Sequence, residues 1–94
     1  MPMKRCKIIV HGLVQGVGFR FYTRAEAQRL HVNGYVKNKP NSTVEIVAEG
    51  SSENVQALVQ WAKQGPPSAR VSNIELIEDV EISKSSFEVF AITY

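Results

Sequence analysis

The 94-residue chain has one cysteine, Cys6, and no apolar run near the roughly 20 residues that a membrane span requires. A lone thiol excludes an internal disulfide and a cysteine-based metal cage. It suits a reducing compartment. No uninterrupted apolar segment follows Lys4, Arg5 and Lys7 to mark a secretory signal, so a cytoplasmic location away from any membrane is expected. Histidine is scarce too. His11 and His31 stand apart, with no carboxylates around them at ligand spacing, so neither a metal nor any other cofactor is expected. No Ser-His-Asp or Cys-His set is evident, which argues against a covalent intermediate. A large excess of one charge sign is lacking too: 11 Lys and Arg stand against 9 Asp and Glu, a formal net charge of +2. That excess suits a small anionic molecule and is too weak to argue for nucleic acid. Repeats, linkers and low-complexity segments are absent, so residues 1–94 read as one domain, and without a surplus apolar patch as a monomer.

What is present begins at Val10. An apolar run, Ile8-Ile9-Val10, reads as a strand leading into His11-Gly12-Leu13-Val14-Gln15-Gly16-Val17-Gly18-Phe19-Arg20. Gly12, Gly16 and Gly18 permit backbone angles that other residues avoid, and after Gly18 the pattern turns helical. A glycine turn before a helix start leaves N–H groups free to converge, where the helix dipole is positive. That arrangement suits phosphate, with Gln15, Gly16, Val17, Gly18, Phe19 and Arg20 as backbone donors and the Arg20 guanidinium as an added charge. The same spacing also serves as a plain turn. It is not a P-loop, since no Lys-Ser or Lys-Thr follows. Nor is it the dinucleotide fingerprint, since Phe21 stands at the third glycine position.

The rest of the chain reads as alternating strands and helices. The first strand spans about 5–13, with Ile8 and Val10 on one face and Ile9 and His11 on the other. The first helix spans about 21–30, with Phe19, Thr23, Ala27 and Leu30 as its buried stripe. His31 and Asn33-Gly34 end it. A second strand runs from Gly34 to Asn38 and a third from Thr43 to Glu49, joined by the turn Lys39-Pro40-Asn41-Ser42. In the third, Val44, Ile46 and Ala48 alternate inward, and Glu45, Val47 and Glu49 outward. Ser51 or Ser52 caps a second helix that buries Val55, Leu58, Val59 and Ala62 and stops at Gly65-Pro66-Pro67. A fourth strand covers about 69–78. Val71 and Ile77 break its alternation, which suggests a bulge. Asp79 to Ser86 reads as a polar loop, and Phe87 to Ile92 as a last short strand.

The order β-α-β-β-α-β predicts an α+β, ferredoxin-like sandwich: a mostly antiparallel sheet of four to five strands with two helices on one face. There the first two strands run parallel with the third between them. Their ends therefore lie about 10 Å apart on one edge of the sheet. Arg20 follows one end and Asn38 closes the other, so the two converge.

Val10 to Arg20 resembles the first signature of the acylphosphatases, V-x-G-x-V-Q-G-V-x-F-R. Gly34-Tyr35-Val36-Lys37-Asn38, followed by Thr43-Val44-Glu45 and Gly50, resembles the second. One position departs: Ser42 stands where the family usually has glycine. The resemblance implies metal-free hydrolysis of the carboxyl–phosphate bond of acyl phosphates, with inorganic phosphate as product and Arg20 and Asn38 as the catalytic residues. The physical chemistry agrees. A carboxylate leaving group has a pKa of about 4 and needs no general acid, and phosphoryl transfer is chiefly positioning and charge stabilisation. Two other classes stay in view. An RNA-recognition module shares the topology but needs exposed aromatics on central strands, and the first and third strands have none. A non-catalytic anion sensor would keep the glycine cradle and have no use for Asn38.

Overall fold

The computed structural model describes residues 2–94. Its elements are β1 (Met3–Leu13), α1 (Phe19–Arg29), β2 (Asn33–Asn38), β3 (Val44–Ser51), α2 (Ser52–Gln64), β4 (Arg70–Ile82) and β5 (Phe90–Thr93). They form one five-stranded sheet in the order β4-β1-β3-β2-β5. β3 pairs antiparallel with both β1 and β2, so β1 and β2 run parallel on either side of it. β4 joins the β1 edge antiparallel, and β5 joins the β2 edge parallel. This is the ferredoxin-like sandwich that the pattern predicts.

The core lies between the sheet and the two helices. β1 contributes Cys6, Ile8 and Val10, β2 Val36, and β3 Val44, Ile46 and Ala48. α1 adds Phe19 and Ala27, with Thr23 buried beside them, and α2 adds Val55, Leu58, Val59 and Ala62. Trp61 packs against Phe19 at a ring separation of 5.7 Å, tying the helices together. Ser51 is the cap of α2, its hydroxyl accepting from the Asn54 N–H at 3.2 Å. At the end of α1 the His31 N–H donates to the Gln28 carbonyl and the Val32 N–H to that of Ala27, with His31 at φ 56°. That is a Schellman close with histidine in the left-handed position. Asn33-Gly34 does not stop the helix but opens β2, and a Cβ at Gly34 would stand 1.9 Å from the Val47 carbonyl oxygen of β3.

Three sequence expectations need correction. Asp79–Ile82 is strand, not loop, because these residues pair with Cys6 to Met3 of β1. Acidic residues are natural there, since β4 is an edge strand and charge protects edges; Lys4 meets Asp79 at 3.5 Å. β5 begins at Phe90 rather than Phe87, leaving Phe87 in the preceding loop. Glu45, Val47 and Glu49 point away from the helices, yet all three are buried. Glu45 accepts from the Tyr35 hydroxyl at 2.6 Å and from the Lys39 ammonium at 3.3 Å. Glu49 accepts from the Arg5 guanidinium at 2.6 Å and from the Ser86 N–H at 2.7 Å. Burial pushes the Glu49 carboxyl up, but the Ser86 N–H, the Arg5 guanidinium and the Ser86 and Ser85 hydroxyls outweigh it and hold the pKa below the usual value. Burial and the hydrogen bond to Glu45 push the Tyr35 phenol up to about 12.

The broken alternation in β4 is real. Register shifts skip Ile77 and Ser72, so two bulges keep Ile74 and Leu76 opposite Val10 and Ile8.

Candidate active site

β1 and β2 reach the same sheet edge in register: Val10 and Asn38 both stand opposite Val44 of β3. The segment after β1 turns back over that edge. Its ends are fixed by Val14 and Phe19, both buried, and burying such side chains contributes about 1.5–3 kcal/mol each. Between them Gly16 and Gly18 adopt φ 74° and 77°, a region that favours glycine.

Gly18 is the N-cap residue of α1, and the cap has no side-chain hydrogen bond and no acidic residue in the first turn. The first backbone bond runs from the Tyr22 N–H to the Gly18 carbonyl at 3.0 Å. The N–H groups of Phe19, Arg20 and Phe21 precede it and have no partner within the helix. The positive helix end therefore faces the turn uncompensated.

A hollow of about 260 Å³ opens there, lined by Gly16, Gly18, Phe19, Arg20, Asn38 and, further out, Val14, Phe21, Ile92 and Tyr94. The topology thus brings Arg20 and Asn38 onto one cavity. Arg20 donates to the Thr93 carbonyl at 3.5 Å, and its guanidinium lies 4.8 Å from the centre of the Tyr94 ring. Among the described residues the Asn38 side chain has no hydrogen-bond partner, leaving its amide oxygen and NH₂ free for a guest.

Of the six residues expected to supply backbone donors, Gln15 and Val17 do not line the hollow. Gln15 does something else. Its amide NH₂ donates to the carbonyls of Lys39 and Thr43, each at 2.8 Å, stitching the turn to the hairpin that follows Asn38. Ser68 donates to the Val17 carbonyl at 2.9 Å and holds the turn from the other side. Neither tie was visible in sequence, because each joins residues brought together only by the sheet. Ser42 does take the left-handed conformation, at φ 72°. The turn is held by the Lys39 N–H on the Thr43 carbonyl, the Ser42 N–H on the Lys39 carbonyl, and the Thr43 hydroxyl on Asn41 Oδ1.

His11 lies outside the site on β1, 3.2 Å from a Glu75 carboxylate oxygen. Cys6 is buried under α2, and its thiol is pushed up to about 11, by burial first and then by Asp79. No three His, Cys, Asp or Glu among the described residues are grouped as a metal would need.

Fold and site together define a small α+β protein in which an uncapped helix start and a glycine turn open onto a hollow at the end of a split β-α-β unit. Comparison with known proteins names its kind. The acylphosphatase family pattern matches residues 6–91. An acylphosphatase of Syntrophus aciditrophicus is 48% identical, over 98% of this chain and 94% of its own. One from Thermococcus kodakarensis is 50% identical over 81% and 84%. The crystal structure of acylphosphatase from Bacillus subtilis superposes with a TM-score of 0.85 at 38% identity, covering 97% of this chain and 99% of that one. The chain belongs to the acylphosphatase family.

Proposed function

We propose that this enzyme hydrolyses the carboxyl–phosphate bond of acyl phosphates in the hollow beside α1, with Arg20 and Asn38 as the catalytic residues. One observation carries the reading: an uncapped helix start behind two left-handed glycines opens onto the same cavity as Arg20 and an unpartnered Asn38. The non-bridging phosphoryl oxygens sit against the N–H groups of the 15–20 segment, chiefly those of Gly16, Gly18, Phe19 and Arg20. The guanidinium adds charge where it develops in the transition state. Asn38 Oδ1 accepts a hydrogen bond from a water and holds it in line for attack on phosphorus. An asparagine amide is too weak a base to take the proton, so its role is orientation. The water oxygen bonds to phosphorus, the bridging P–O bond breaks, and the carboxylate leaves with the bonding pair. The products are a carboxylate, inorganic phosphate and a proton. With so good a leaving group the step needs no Lewis acid, and activity without a divalent ion is part of the proposal.

Residues 1–94 act as one domain in this reading, which the family match over nearly the whole chain supports. A cytoplasmic monomer fits a lone buried thiol and a β4 edge carrying Glu75, Glu78, Asp79 and Glu81, whose like charges oppose self-pairing. No helix among the described residues is long and apolar enough to cross a membrane. RNA is disfavoured as a partner: the face that would stack bases carries Glu45 and Glu49 on its central strand.

The test is hydrolysis of benzoyl phosphate by wild type and Arg20→Gln, each with excess chelator and with circular dichroism as the folding control. Turnover should survive the chelator and fall about 100-fold or more in the folded variant. A folded variant with near-full turnover overturns the assignment of Arg20.

A further inference from the structure

The hollow is only half polar. Beyond Arg20 and Asn38 its outer wall is Phe21, Ile92 and Tyr94. Two aromatic rings stand at the mouth, Phe21 57% and Tyr94 94% exposed. Large apolar side chains held open to water beside a polar cradle mark a surface awaiting an apolar guest. Both rings are positioned. Phe21 packs edge-on to Tyr22 at 5.5 Å, with the Arg24 guanidinium 6.0 Å from its centre. Tyr94 lies against the Arg20 guanidinium. Phe21 belongs to the same first helical turn whose N–H groups open onto the hollow, so its ring stands beside the place where a bound phosphoryl group would sit.

We propose that Phe21, Ile92 and Tyr94 form the subsite for the acyl group, and that it selects acyl phosphates with a flat aromatic or bulky apolar acyl chain over short ones. This rests on the hydrolytic function proposed above. The aromatic ring of such a substrate lies between Phe21 and Tyr94. The bridging oxygen and leaving carboxylate stay at the open side, where water solvates the departing charge. Tyr94 has a second effect: its ring and the Thr93 carbonyl hold the Arg20 guanidinium at the cradle. The Phe21 ring packs against Tyr22 and Arg24, neither of them a catalytic residue, so it is the cleaner probe of acyl selection.

The experiment measures kcat/KM for benzoyl phosphate and acetyl phosphate with wild type, Phe21→Ala and Phe21→Leu, with circular dichroism on each. The quantity read is the benzoyl-to-acetyl ratio. Comparing that ratio between proteins cancels the different intrinsic reactivity of the two substrates. A missing apolar contact in a pocket changes selectivity by about tenfold or more, so the ratio should fall about tenfold in Phe21→Ala. Phe21→Leu should restore part of it, mostly through KM. An unchanged ratio in folded Phe21→Ala overturns the subsite. If Phe21→Ala does not fold, Phe21→Leu decides: a ratio within experimental error of wild type overturns it equally. Absence of turnover of either substrate by folded wild type would overturn the proposed hydrolysis itself, an outcome distinct from an unchanged ratio.

Discussion

Gln15→Ala separates holding the site together from lining it. The substitution removes two hydrogen bonds, to the Lys39 and Thr43 carbonyls, and leaves the backbone of the turn unchanged. Neither carbonyl is orphaned. Lys39 O still accepts from the Ser42 N–H at 3.1 Å, and Thr43 O from the Lys39 N–H at 2.9 Å. The loss is therefore the net value of two ordinary hydrogen bonds, about 1–2 kcal/mol, without the penalty of a buried unpaired acceptor. For a domain of this size that lowers Tm by about 5–15 °C. The effect on rate should be larger than stability suggests. The tie sets the distance between the cradle and Asn38, and a 1 Å misplacement can cost about 100-fold. Urea titration and steady-state kinetics on benzoyl phosphate measure both. We expect kcat to drop at least tenfold, with a smaller weakening of competitive inhibition by inorganic phosphate. Gln15→Glu should be worse, because it sets a carboxylate against two carbonyl oxygens. A variant with lowered Tm and unaltered kcat would refute the positioning role. A loss above about 4 kcal/mol would refute the hydrogen-bond accounting.

Asn38→Ala should lower kcat about 100-fold and leave phosphate inhibition nearly unchanged, because its proposed partner is the attacking water. Strongly weakened inhibition would make it a phosphate ligand instead. Ser42→Gly relieves a left-handed serine at φ 72° and should stabilise by about 0.5–1 kcal/mol in urea unfolding; a destabilised variant would show that the serine hydroxyl matters more than the backbone. Glu49 has a folded-state pKa below its usual 4.5. Its stabilisation is therefore fully present above about pH 4.5 and disappears as pH falls through the lower folded value. Glu49→Gln should cost about 1.5–3 kcal/mol at pH 7, since a neutral amide replaces the buried carboxylate against Arg5, which keeps Glu78 at 4.0 Å, and the gap to wild type should narrow on acidification. Parallel stability curves across that range would contradict the pairing.

The helices were the most legible part of the chain. α2 carries its cap, stripe and stop within consecutive residues, and Thr23 and Ala27 mark the buried side of α1 without outside help. The central strands read correctly in direction and pairing, and wrongly in exposure. Glu45 and Glu49 look like solvent-facing residues until Tyr35, Lys39, Arg5 and the 85–87 segment close over them. β4 past Glu78 reads as loop in sequence because its acidic residues favour solvent there as readily as they protect an edge strand. Arg20 and Asn38 could be placed on one cavity because strand order alone brings them there. The side-chain roles of Gln15, Ser68, Phe21 and Tyr94 depend on tertiary contacts, and no local pattern encodes those.

The parallel pairing of β2 with β5 joins Gly34–Lys37 to Phe90–Thr93. The glycine turn and Asn38 lie before residue 40, while the strand beside Arg20 is β5, Phe90–Thr93. A ribosome releases these parts in that order. A growing chain can therefore shape the glycine turn while the outer wall is still unmade, and Arg20 gains the Thr93 carbonyl only after β5 has emerged. Closing so long a loop costs little extra entropy in the finished fold but comes late in time. The finished geometry around Arg20 thus reports that β5 has docked beside β2.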